Sequence, residues 1–103
     1  MGASARLQRQ PRVRRRLKVR VGATQFFTVD VGAGGLCAEL LRVLAPGTLV
    51  EGAVEVGTRE APFTGRVVWA RAGDAHLGLR GRMGILFTCA PPGLLEHAGV
   101  RAA

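Results

Sequence analysis

The chain is poor in side chains that do covalent chemistry. Its serine- and cysteine-type nucleophiles are Ser4, Cys37 and Cys89, and its histidines are His76 and His97. Ser4 falls in a small, polar lead. The cysteines lie far apart and form no CxxC pair, and neither histidine has a serine or cysteine beside it in sequence. No catalytic triad, carboxylate pair or metal-ligand spacing emerges, which argues against an enzyme. Apolar runs are too short for a membrane-spanning helix, and the N-terminus lacks the apolar core of a secretory signal. A cytosolic protein is expected, where a disulfide would be unusual, so both cysteines read as small buried side chains at strand positions. Aromatics are equally scarce, with four Phe, one Trp and no Tyr. Most occupy core-like strand positions, and Trp69 in "RVVWAR" reads as core or barrel rim, so base-stacking platforms are few.

What the chain does contain is apolar residues and arginine. With 103 residues, 48 % hydrophobic and 21 % charged, it forms one domain rather than a disordered segment. Its net charge of +8 is uneven. The first twenty residues hold eight basic side chains and no acid, while the remainder sets seven arginines against all seven acids. A basic arm on a neutral body fits a phosphate-bearing partner, with a solvated tail as the plain alternative.

Residues 1–11 read as a flexible lead closed by Pro11. Leu17, Val19 and Val21 then alternate with Arg16, Lys18 and Arg20, the period of a half-buried strand. "QFFTVDV" is a second strand, "GAGG" breaks it and "LCAEL" resumes as a third. "APGT" is a turn, "LVEGAVEV" a strand, "GTREAP" a connection and "FTGRVVWA" a long, central strand. "RAGDA" turns the chain, "HLGLR" reads as a short strand and "GILFT" as the last. "APPGLLEHAGV" offers a short terminal helix with Leu94, Leu95 and Ala98 on one side. Six or seven short strands with turn chemistry between them indicate an all-β barrel or sandwich. No internal repeat is visible.

The stretch "TVDVGAGGLC", residues 28–37, concentrates the chemistry. A strand ends at Asp30, the chain bends through Gly32 and Gly34–Gly35, and a strand restarts at Leu36. Glycine permits positive φ and close approach of backbone to a ligand. A carboxylate there either caps the turn as an Asx residue or grips two adjacent N–H donors, such as guanine N1–H and N2–H₂. Arg9 and Arg12 flank Pro11 in a segment free to fold over a ligand, and guanidinium forks suit phosphates and the O6/N7 edge of guanine. Arg16 and Arg20, about 13 Å apart along a strand, read instead as a solvated face.

Taken together, the arginine-rich lead, the basic first strand, "VDVGAGGLCAEL", "APGTLVEGAVEV", "GRVVWARAG" and "MGILFTCAPPGLLEHA" resemble a PilZ domain from about residue 8 to the C-terminus. The resemblance implies a bacterial, cytoplasmic, six-stranded antiparallel β-barrel with a short C-terminal helix. It also implies cyclic di-GMP as ligand, with no other cofactor. The family carries RxxxR before the first strand and (D/N)xSxxG between the second and third. The second signature falls on residues 30–35, where Asp30 and Gly35 match and Gly32 replaces the serine. The first falls on residues 8–12, where Arg12 matches and Gln8 replaces the leading arginine, with Arg9 beside it. Two other frames, Arg12 to Arg16 and Arg16 to Arg20, spell RxxxR literally. The implied ligand contacts are Arg9, Arg12, Asp30, Gly32 and Gly35, and ordering of the arm would present a surface to a downstream protein. Two alternatives keep the barrel and change its role. One is a protein-interaction module of motility or pilus regulation that binds no cyclic di-GMP. The other is a basic barrel that binds nucleic acid.

Overall fold

The computed structural model describes residues 12–99. Its strands are β1 (Arg12–Arg14), β2 (Lys18–Val21), β3 (Thr24–Gly32), β4 (Gly35–Leu40), β5 (Leu49–Val56), β6 (Arg59–Arg71) and β7 (Gly81–Cys89). A 3₁₀ turn spans Ala75–Leu77 and one helix, α1, spans Leu94–Ala98. The sheet runs β1-β3-β2-β5-β6-β7-β4, and β4 pairs back onto β3. Six antiparallel strands therefore close a barrel, and β1 is an extra strand on β3. Closure leaves the six barrel strands without a free edge.

Local chemistry sets the hairpins. The β2–β3 and β5–β6 turns are two residues long and start on Gly22 and Gly57, at φ of 60° and 64°. Left-handed glycine at the first turn position matches the twist of the flanking strands. Val19, Val31, Val54, Val67 and Met83 are fully buried and Leu36, Ile85 and Leu94 nearly so. These inward residues fill a single core. Helix α1 closes the barrel beside the β5–β6 turn, inserting Leu94 and Ala98 into that core, while the Gly57 N–H donates to His97 Nε2 at 3.3 Å.

β1 and β2 share one edge of β3 and are separated by Arg15–Leu17. Thr28 bridges the break. Its buried hydroxyl donates to the Arg15 carbonyl at 2.5 Å and accepts from the Leu17 N–H at 2.9 Å. Pairing between β3 and β4 shifts register between Thr28 and Asp30, a bulge that leaves Val29 unmatched.

Four expectations need correction. β6 begins at Arg59, so "REAP" belongs to the strand. Pro62 is tolerated because β7 ends opposite Thr64, leaving one side of β6 open there. "HLGLR" is not a strand. Asp74 Oδ1 accepts from the His76 and Leu77 N–H groups and caps the 3₁₀ turn, and Gly78 adopts φ of 70°. β3 runs on to Gly32 and β4 starts at Gly35, so the bend is only Ala33–Gly34. Finally, Cys37 is buried but Cys89 is exposed at the end of β7.

Candidate functional site

Two bulges build the site. In β3, Phe26 and Thr28 point into the barrel, and strict alternation would send Asp30 inward with them. The extra residue Val29 reverses the parity, so Asp30 faces outward while Val31 returns to the core. In β6, Val67 points inward opposite Ile85, and alternation would bury Trp69. A second register shift, between Val67 and Trp69, inserts Val68 and turns the indole outward. Trp69 is 43 % exposed, on the outer wall rather than in the core or at the rim.

The register then aligns the two. Arg14 stands opposite Asp30, Asp30 opposite Cys37, Cys37 opposite Gly84, and Gly84 opposite Trp69. Cross-strand partners share a face, so these residues form one row across the outer wall. At about 4.8 Å per strand, Trp69 and Asp30 are roughly 14 Å apart at the backbone. The indole leans back over Gly84, where a Cβ would collide with its Nε1 and stand 2.7 Å from Cδ1. The side chain thereby narrows the gap toward Asp30.

Arg12 closes the other side. Its Nε donates to Asp30 Oδ1 at 2.8 Å, and its Nη2 donates to the same oxygen. Among the described residues no backbone N–H donates to Asp30, so the acid is not an Asx cap, and none of them donates to its Oδ2. Both partners are partly exposed. A surface pair of this kind contributes about 0–1 kcal/mol, weak enough for a ligand to displace. Cys37 forms the floor. Burial pushes its thiol pKa up and the Asp30 charge adds to this, against Arg82 and Arg12. It therefore stays a neutral thiol.

The other residues implicated by sequence are placed as follows. Gly32 pairs with Arg12, at the end of the site. Gly35 pairs with Leu86, and a Cβ there would overlap the Ile85 carbonyl oxygen and stand 3.1 Å from its carbon. Glycine at position 35 thus admits the neighbouring strand. The left-handed glycines of the described chain lie elsewhere, at Gly22, Gly47, Gly57, Gly78, Gly93 and Gly99. Arg9 lies outside the described residues. Arg16 stacks on the Phe27 ring, 3.8 Å from its centroid, and Arg20 pairs with Glu60. That pairing holds Glu60 below the usual carboxylate range, chiefly through the Arg20 hydrogen bond. Of the three arginine frames, only those containing Arg12 reach Asp30.

Sequence reasoning missed Arg14, Cys37 and Trp69. One signal pointed to the last of these. A strand glycine such as Gly84 is often covered by an aromatic from the next strand. Gly84→Ala is expected to drive the indole off its seat and red-shift its emission. The stability cost should be only about 1 kcal/mol, because a side chain rather than backbone must yield.

The fold is shared with a solved structure, that of the Bacillus subtilis inhibitor of motility (MotI/DgrA). The TM-score is 0.67 at 15 % identity, over 87 % of this chain and 46 % of that one. This chain therefore spans about half the length of that protein. No family model matches the sequence, and no curated protein matches it significantly.

Proposed function

We propose that this chain is a PilZ-like, non-catalytic module that binds cyclic di-GMP on the outer wall of its barrel. The observation that carries the reading is the row in which two bulges bring Asp30 and Trp69 to one face, with Arg12 and Arg14 beside them. Each member suits one part of the ligand. Asp30 accepts the paired guanine donors N1–H and N2–H₂ once Arg12 releases it. The indole offers a stacking face, and base–aromatic stacking contributes about 1–3 kcal/mol. Arg12 and Arg14, with Arg9 of the preceding segment, take the phosphates as bidentate forks. The fold likeness to an inhibitor of motility supports a regulatory role of the same kind.

The same contacts give a route for output. Arg15, next to Arg14, donates to the His97 carbonyl at 2.9 Å. Re-posing β1 around a ligand therefore pulls on helix α1. A partner that reads α1 would sense the ligand through a two-state element.

A second reading has its own support. Gly32 stands where the family has serine, and Arg12 already occupies Asp30. In that reading the module binds protein and no nucleotide. One titration separates the two. Trp69 is the only tryptophan and the chain has no tyrosine, so its intrinsic emission reports on the site alone. Cyclic di-GMP is expected to quench that emission saturably, with the same midpoint as the heat measured by calorimetry. Neither heat nor quenching at high micromolar ligand would exclude the first reading and leave the second.

A further inference from the structure

One residue pair further along the strands, the outer wall changes character. An open groove of about 740 Å³ gathers Arg14, Arg16, Arg42, Arg80 and Arg82, with Glu39 as its one acid. These arginines come from β1, the β1–β2 link, the β4–β5 connection, the approach to β7 and β7 itself. Glu39 pairs with Arg82 at 3.4 Å. Among the described residues no carboxylate pairs with Arg14, Arg16, Arg42 or Arg80. Four like charges held around one groove repel each other, a cost that an anionic occupant would remove.

The rest of the lining narrows the class of occupant. Of the two aromatics in the lining, Phe26 is buried in the core and Phe27 is covered by Arg16, so neither ring is open to a base. Stacking, the usual sequence-tolerant anchor for a nucleic acid strand, is therefore missing. In its place the groove offers exposed Leu41 and half-buried Leu44. Its floor crosses β3, β4 and β7 through the aligned Phe27, Glu39 and Arg82. That is about 10 Å over two interstrand steps, the width of one helix. We infer that this groove docks an acidic segment of a partner protein, with carboxylates on the arginines and an apolar residue on Leu41.

The proposal does not depend on cyclic di-GMP. Arg42 and Arg80 belong to the groove and not to the Asp30 row, so they test it separately. The probe is a fluorescein-labelled peptide of glutamate and leucine in helical period, titrated into the full chain by anisotropy. Saturable binding is expected. It should weaken at least about tenfold for Arg42→Glu with Arg80→Glu, and by a similar factor for a peptide with glutamine in place of glutamate. Equal affinity for the glutamate and glutamine peptides would overturn the proposal without relying on any variant. So would an unchanged affinity in the charge-reversed variant, or tighter binding of a single-stranded oligonucleotide of matched length.

Discussion

Asp30→Ala is expected to weaken cyclic di-GMP binding by one to two orders of magnitude while leaving the fold almost unchanged. Two effects oppose each other in this variant. Removing the carboxylate releases Arg12, which holds it in the ligand-free protein. The released guanidinium is free to meet a phosphate, but the pair it leaves is partly exposed and worth only about 0–1 kcal/mol. The carboxylate itself supplies charge-assisted hydrogen bonds to the guanine edge, worth about 1.5–3 kcal/mol. The loss outweighs the gain, and the net corresponds to roughly 10- to 100-fold in affinity. Asp30→Asn keeps the shape and one acceptor and should fall between the two. Calorimetry reads the affinity and thermal unfolding reads the fold. An unchanged affinity in Asp30→Ala would remove Asp30 from the site. A collapse in melting temperature would reassign it to structure.

Gly35→Ala should do the reverse and strike stability hardest. The added methyl meets the Ile85 carbonyl and stands 3.2 Å from the Leu86 Cα, all of it backbone of the paired strand β7. Backbone in a closed barrel has nowhere to swing, so β4 and β7 must part. The expected cost is about 3 kcal/mol or more, at the upper end for overpacking. In a domain of this size that lowers the melting temperature by about 12 °C or more. Gly84→Ala is the control, since only the Trp69 side chain obstructs a methyl at that position. A melting temperature for Gly35→Ala equal to that of Gly84→Ala would refute the argument. The comparison also separates two meanings of a signature glycine. At position 35 the glycine lets two strands approach, and loss of ligand binding in its variants would follow from loss of the fold.

The strands and the barrel class were legible because they are local and periodic. "LVEGAVEV" coincides with β5, and "GLLEHA" contains helix α1, with Leu94 and Ala98 on its buried side. The resemblance singled out Asp30 and Arg12 separately, as ligand contacts, and the structure shows the two in contact with each other. Trp69 was not. Its place in "RVVWAR" obeys the alternation of a buried residue, and only the bulge at Val68 defeats it.

The sequence by itself determined most of the strands and turns, "REAP" and "HLGLR" excepted, and which end of the chain carries the charge. Periodicity, glycine at turns and composition are properties of neighbours along the chain. Tertiary structure alone decided which face Asp30 and Trp69 occupy, and that five arginines from separate segments meet around one groove. A bulge is an extra residue counted against a partner strand, so it exists only once two strands are in register. The even charge balance beyond residue 20 concealed the groove for the same reason. A sum over the chain is blind to position, and barrel closure places Arg42, Arg80 and Arg82 on one side with a single acid among them.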